Sequence, residues 1–339
     1  MEKYTAKDFK SNQEVRWCPG CGDHAVLAAL QRALPRVSEA MGYSKEQFVV
    51  VSGIGCSSRL PYYMDTYGFH SIHGRATAIS TGIKVARPEL SVWQACGDGD
   101  ALAIGGNHFI HAIRRNVDIN IVLFNNRIYG LTKGQYSPTS KLGAITKTSP
   151  YGTVEPPFNP GSLVLGAKGT FFARSLDNEL KLNEEIMLQA GLHKGTSVME
   201  MLTNCVIFND GAHKEISDPV VKADRTIVLR HGEKMLFGAD RKKGLVLESK
   251  ALKVVTIGEN GVSEDDILVH DAHCPEVGMH LMLAEMKGPD FPVALGIIRD
   301  VEADTYDTGV NRQVEEVSAK ARIHCVDDLL RSGSTWTVE

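Results

Sequence analysis

Two groups of residues carry most of the chemistry this sequence can offer. The first is Gly97-Asp98-Gly99-Asp100, with Asn125-Asn126 further on and 25 residues between Gly99 and Asn125. Asp98 supplies a hard carboxylate oxygen and Asn126 can supply another; Mg²⁺ commonly takes one or two such protein oxygens and fills its other positions with water and substrate phosphates. Glycines at 97 and 99 let the backbone approach a bulky ligand closely. Asp-Gly is also an ordinary turn dipeptide, so Gly-Asp-Gly by itself specifies little. The second group is thiol. Trp17-Cys18-Pro19-Gly20-Cys21-Gly22 sets a Cys-x-x-Cys in a Pro/Gly-rich turn, an arrangement used by zinc, by dithiol switches and by iron–sulfur clusters. Alone it favours zinc. Zinc, however, wants a second close pair, and none exists: 34 residues separate Cys21 from Cys56, and 148 separate Cys56 from Cys205.

The elements that must position these groups are those of an α/β protein with a parallel sheet. Between about residues 15 and 210, short β-rich runs alternate with longer helical stretches. Expected strands are Phe48–Ser52, Ser91–Cys96, Ile119–Phe124, Phe171–Arg174 and Ser197–Leu202. Expected helices include Ala25–Ala33, Ala76–Ala86, Gly106–Arg115 and Asn178–Ala190. The acidic turn then ends one strand and Asn125-Asn126 ends the next, a βαβ unit with its polar residues at the carboxyl edge where open α/β sheets bind ligands. A diphosphate there could also receive amide N–H groups from the start of a 104–115 helix. Cys56 and Cys205 follow two other strands, and Cys96 ends a third, so thiols far apart in sequence can converge on the same edge. Tyr151–Pro160, with three prolines, reads as a loop. After Asp210 the character changes: Val254–Ile257 and Val293–Ile298 look like strands, Pro275–Lys287 and Asn311–Arg322 like helices, and Arg241-Lys242-Lys243 like an exposed turn. The expected division is therefore a cofactor-binding domain at 1–210 and a C-terminal extension at 211–339.

Composition narrows the function class. The chain has 339 residues, 43% hydrophobic and 23% charged, with net charge −4. No basic surplus invites nucleic acid or an anionic membrane. No apolar run approaches the ~20 residues that span a bilayer, and the polar N-terminus has no secretory core. A cytoplasmic location is expected, where seven cysteines suggest metal or redox chemistry before disulfides.

The pairing of Gly97-Asp98-Gly99 with Asn125-Asn126 is similar to the thiamine diphosphate signature. Together with Trp17–Gly22, Gly53-Ile54-Gly55-Cys56-Ser57-Ser58, His70–Arg75, the segment from Asn125 to Gln135, and Asn204-Cys205, it resembles the β subunits of the 2-oxoacid:ferredoxin oxidoreductases, most closely the 2-oxoglutarate enzymes. The resemblance runs from about Val15 to Asp210. It implies the doubly wound parallel sheet of the thiamine diphosphate-binding fold. It also implies a [4Fe–4S] cluster on Cys18, Cys21, Cys56 and Cys205, and Mg²⁺ on the Asp98 and Asn126 side chains and the Ile128 carbonyl. Thiamine diphosphate would touch Ile54, Gly55, Cys56, Ser57, His73, Gly97, Gly99, Asp100, Gly130, Leu131 and Thr132. Cys96, Cys274 and Cys325 match no family ligand and read as structural.

The same resemblance implies a reaction: CoA-dependent oxidative decarboxylation of 2-oxoglutarate to succinyl-CoA, or its reverse, with electrons passing to ferredoxin. Pyruvate or a branched-chain 2-oxoacid is the alternative substrate. The carboxylate that activates the coenzyme ring has no candidate in this chain, and the resemblance assigns it to a partner α subunit, in an αβ or (αβ)₂ assembly. For substrate choice, the Arg59 guanidinium could grip a carboxylate bidentately, with a surface ion pair as its bland reading. Leu131 stands where pyruvate enzymes tend to carry a polar residue, which favours a larger 2-oxoacid. Lys133 could meet a distal carboxylate or simply be solvated.

Overall fold

The computed structural model describes residues 3–338. An eight-stranded sheet organises it. In chain order its strands are β1 (Phe48–Ser52), β2 (Tyr67–His70), β3 (Ser91–Gly97), β4 (Asn120–Asn125), β7 (Phe171–Leu176), β8 (Ser197–Leu202), β9 (Thr226–Leu229) and β13 (Val293–Asp300). The numbers left over belong to a two-residue hairpin, β5 (Ile128–Tyr129) with β6 (Gln135–Tyr136), and to a small antiparallel sheet of β10 (Leu236–Phe237), β11 (Lys243–Glu248) and β12 (Ala251–Thr256). Spatial order in the main sheet is β2-β1-β3-β4-β8-β7-β13-β9. The first six strands run parallel; β13 lies antiparallel to β7 and parallel to β9.

The central strands β1, β4, β7 and β8 are buried along their whole length, as expected where helices cover both faces of a parallel sheet. Alternation of side chains feeds two cores. Trp93 and Ala95 of β3 enter one core with Val26, Leu30 and Leu34 of helix Asp23–Met41 and with Ile186 and Met187 of helix Leu180–Leu192. Val92 and Cys96 of the same strand enter the other, with Phe109 and Ile113 of helix Gly106–Arg115 and Ala76 of helix Ala76–Ala86. Each side of the sheet is thus closed, which leaves the strand ends as the places where polar groups can meet a ligand.

Three elements depart from expectation. The first helix continues through Pro35 to Met41 and stops at Gly42, whose φ of 72° gives the left-handed turn that ends a helix. Leu34, Val37 and Ser38 are buried, so packing carries the helix past a residue that ordinarily breaks one. The second departure follows the acidic turn: Asp100–Ile104 forms a π-turn, and Gly105 N–H reaches back to the Asp100 carbonyl at 3.1 Å. A widened turn of this kind recurs at functional sites. Helical backbone therefore starts at the acidic turn itself, and the amides next to the turn, rather than those of residues 104–106, open the helix. Third, the expected extension is continuous with the sheet. β9 and β13, both beyond residue 210, complete its far edge, and Arg299 of β13 bonds the Gly169 carbonyl through its Nε at 3.0 Å.

Candidate active site

β1, β3 and β4 end side by side, and the turns that leave them enclose a cavity of about 600 Å³, within the range of ordinary cofactor pockets. Ile54, Gly55, Cys56 and Ser57 come from the turn after β1, His73 from the turn after β2, Gly97, Asp98, Gly99 and Asp100 from the end of β3, and Asn126 from the end of β4. Ile128, Gly130, Leu131 and Thr132 come from the β5–β6 hairpin; all fourteen line this one cavity. Arg59 and Lys133 do not. Arg59 stands half-buried in the Ser57–Arg59 turn behind Cys56, near enough for its charge to favour the Cys56 thiolate. Lys133 is exposed on the outside of the hairpin, at φ 76°.

The acidic turn is closely supported. Asp98 is 2% exposed, and burial pushes its carboxyl above the usual range, opposed by the Thr139 and Ser137 hydroxyls. Both hydroxyls donate to the same oxygen, Oδ2, Ser137 at 2.7 Å. Asp100 acts differently from its neighbour. Its Oδ1 accepts from Gly74 N–H at 2.7 Å and Ile54 N–H at 3.2 Å, and His73 Nδ1 lies 2.6 Å from it. Although it borders the cavity, its carboxylate is spent tying the turn after β1 to the turn after β2. Gly53 exists for this strut: a Cβ there would sit 1.9 Å from Asp100 Oδ2. Gly99 has a comparable reason, since a Cβ would fall 2.3 Å from the Tyr129 ring, whose hydroxyl donates to the Gly99 carbonyl at 2.7 Å. On the other wall the Ser57 Oγ is buried without a partner, a donor available to a polar ligand.

The thiols meet the same cavity from one side. A Cβ on Gly130 would touch Cys205 Sγ at 3.5 Å and Cys56 Sγ at 3.6 Å. Cys21 lies within electrostatic reach of Cys205 and Cys56, and Cys56 within reach of Cys205 and Cys18. The Cys18–Cys21 turn is pinned to the Cys205 loop because Gly22 N–H donates to the Asn204 carbonyl at 3.1 Å. The Trp17 indole N–H donates to the Cys56 carbonyl at 2.6 Å. Burial pushes the Cys56 thiol up to about 11 and the Cys21 thiol higher still. Among the described residues, no three His, Cys, Asp or Glu side chains form a shell that could hold a single metal ion. Cys96, on β3, is buried with its thiol toward the Val122 carbonyl of neighbouring β4, while Cys274 and Cys325 lie away from the cavity wall.

Comparison with known proteins agrees with this layout. Residues 53–201 match the family described as "Thiamine pyrophosphate enzyme, C-terminal TPP binding domain". The chain is 46% identical over 336 residues to the 2-oxoglutarate oxidoreductase subunit KorB of Mycobacterium tuberculosis, covering 98% of this chain and 88% of that one. It belongs to the 2-oxoacid:ferredoxin oxidoreductase β-subunit family. Within that family it is also 49% identical over 189 residues to the 2-oxoglutarate synthase subunit KorB of Archaeoglobus fulgidus, covering 56% of this chain and 69% of that one. A solved 2-oxoglutarate:ferredoxin oxidoreductase from Magnetococcus marinus, with 2-oxoglutarate, coenzyme A and succinyl-CoA bound, superposes with a TM-score of 0.75 at 31% identity, over 98% of this chain and 96% of that one.

Sequence motifs missed part of the β-subunit site. Phe124, Tyr136 and Thr148 also line the cavity, and Ser137 and Thr139 grip Asp98 from outside it. None lies in a fixed-spacing motif. The only available signal was the run of hydroxyl residues between Ser137 and Ser140.

Proposed function

We propose that this chain is the β subunit of a thiamine diphosphate-dependent 2-oxoglutarate:ferredoxin oxidoreductase, forming succinyl-CoA or running the reverse reaction. The single observation that supports this most is Gly130. It lines the cavity that Asp98 and Asn126 enter, and Cys56 and Cys205 abut it from behind. A coenzyme site and a thiol cluster are thereby separated by one residue without a side chain.

The residues fit the groups the family implies. Asp98, Asn126 and the Ile128 carbonyl would hold Mg²⁺. The Asp98 Oδ2 is already occupied by two hydroxyls, and Ile128 N–H donates to Asn126 Oδ1 at 3.1 Å, which fixes that side chain. Ser57 Oγ and the amides next to the acidic turn would meet a diphosphate. Gly97, whose added Cβ would sit 3.6 Å from Ser57 Oγ, keeps the wall beside that hydroxyl open. When bound, thiamine diphosphate supplies the electron sink that a 2-oxoacid needs in order to lose CO₂. Cys18, Cys21, Cys56 and Cys205 would hold a [4Fe–4S] cluster, the one-electron relay toward ferredoxin.

The chain's own part is to anchor, orient and keep dry. The Asp100 strut fixes the turns that carry Ile54 and His73, and Tyr129 caps Gly99. Asp98 and Asp100 are the only carboxylates among the lining residues, and both are committed. Activation of the coenzyme ring would therefore fall to a carboxylate of an α subunit. Ile72 and Leu131 beside the cavity and Tyr67 and Phe69 on edge strand β2 are exposed, apolar surface of the kind a partner covers. Leu131 lies in the wall and would favour a larger 2-oxoacid. Arg59 and Lys133 would reach a distal carboxylate only if the substrate extends beyond the wall. No helix among the described residues is long and apolar enough to cross a membrane, and we propose a cytoplasmic αβ or (αβ)₂ enzyme. Ferredoxin reduction by the αβ complex with a panel of 2-oxoacids tests the substrate. Fastest turnover with 2-oxoglutarate is expected; preference for pyruvate or a branched-chain acid would remove that assignment.

A further inference from the structure

Behind the acidic turn runs a buried chain of side chains that the reaction does not touch. Thr139 Oγ1 stands between two acceptors, Asp98 Oδ2 and, at 3.0 Å, Asn125 Oδ1, and its single proton is shared between them. The Asn125 amide nitrogen donates to Glu200 Oε1 at 2.7 Å. Glu200 Oε2 receives Arg174 Nε at 2.6 Å, and Arg174 is itself held by the Ala284 carbonyl at 3.2 Å and by Asn159 Oδ1 at 3.3 Å. Thr139, Asn125, Glu200 and Arg174 are all nearly inaccessible to solvent, and none of them lines the coenzyme cavity.

The direction of this chain is set chemically. Glu200, paired with Arg174, can only accept, so it fixes the Asn125 amide with its NH₂ outward and its oxygen toward Thr139. That oxygen and Asp98 Oδ2 share the one Thr139 proton, so Thr139 bridges the strand end at Asn125 to the carboxylate, beside the Ser137 hydroxyl. Asp98 is thereby held in one rotamer, and Asn126, the residue after β4, continues from a strand end locked at Asn125. We propose that Thr139 is a positioning residue for the metal-holding pair Asp98 and Asn126, with the Asn125–Glu200–Arg174 chain behind it as its support. The inference rests on the reading of Asp98 as a Mg²⁺ ligand.

The test is calorimetric binding of thiamine diphosphate to the coenzyme-stripped αβ complex, titrated with Mg²⁺, for Thr139→Val, Thr139→Ser, Glu200→Gln and Asp98→Asn. Loss of an outer partner of a metal ligand typically weakens metal affinity about 10–100-fold. Thr139→Val is expected to raise the Mg²⁺ requirement by that factor, Thr139→Ser to restore it, and Glu200→Gln to fall between. Melting midpoints of the stripped complexes should not follow that order, as they would for a purely structural role. Wild-type Mg²⁺ dependence in Thr139→Val, with binding lost in Asp98→Asn, overturns the inference alone. Wild-type binding in Asp98→Asn overturns the metal reading beneath it. If Thr139→Val does not assemble, Glu200→Gln decides by the same titration, and an unchanged requirement there counts against the proposal.

Discussion

The two ends of the site are built on different principles. At the acidic end the carboxylates and Asn125 have their partners in the polypeptide: Asp98 on two hydroxyls, Asp100 on two amides and His73, Asn125 between Thr139 and Glu200. At the thiol end the sulfurs are only half covered and have few bonds, and burial pushes Cys56 and Cys21 upward. Asp23 beside them is fully buried, with its Oδ2 unpartnered and its carboxyl raised to about 7 by burial. The contrast teaches that the acidic turn, the proposed anchor of the coenzyme, is preorganised by the fold, as electrostatic catalysis requires. The thiol rim, by contrast, has few partners in the polypeptide, in keeping with the proposal that a cluster supplies them.

That contrast can be broken from either side. The largest effect is expected from Asp98→Ala, which removes the anchor outright. Mg²⁺-dependent coenzyme binding by the αβ complex should weaken by at least about 100-fold, the upper end of what loss of an outer partner alone costs. The visible absorbance of the anaerobic protein should stay. Binding that survives in this variant would place the metal elsewhere. Cys56→Ser is the mirror experiment. It should bleach the absorbance and abolish ferredoxin reduction while coenzyme binding by calorimetry changes little; an unaltered spectrum would remove Cys56 from the cluster ligands.

A smaller effect sharpens the preorganisation claim. His213 is 4% exposed and donates from Nε2 to the Asn125 carbonyl at 2.9 Å. Burial, with the Arg127 charge, holds it down from 6.5 to about 3. Between those values the unfolded chain takes up a proton and the folded one does not, so stability falls as pH is lowered through that window. The melting midpoint of His213→Gln should decline less steeply than wild type below pH 6.5; parallel declines would show that this histidine is not held neutral.

Much of the fold was legible because the parallel strands are continuous apolar runs with glycine and polar punctuation. Phe48–Ser52 and Ser197–Leu202 match their expected limits, and so do helices Ala76–Ala86 and Gly106–Arg115. The first helix, expected over Ala25–Ala33, runs on through Pro35 to Met41 because its far end is buried. Thr226–Leu229 gave no distinctive pattern, and its place beside β13 depends on pairing between segments more than sixty residues apart. In the site, fourteen of the cavity-lining residues sit in or beside motifs and could be named in advance, whereas Phe124, Tyr136 and Thr148 could not. Thr139, Ser137 and Glu200 act through another side chain, so no fixed spacing marks them. Leu131 stood out in sequence and lines the cavity; Arg59 and Lys133 stood out equally and do not, because charge on a loop does not say which way the loop presents it.

The central claim is that one β subunit gathers a coenzyme and an electron relay at a single sheet edge. The most direct measurement is iron, acid-labile sulfide and thiamine diphosphate content of the αβ complex purified without oxygen, before and after Cys205→Ser. The account predicts about four irons and one thiamine diphosphate per β subunit beyond any clusters carried by the α chain, with the substitution removing those irons and sparing the coenzyme. Iron content unchanged by Cys205→Ser, or zinc in its place, would contradict it.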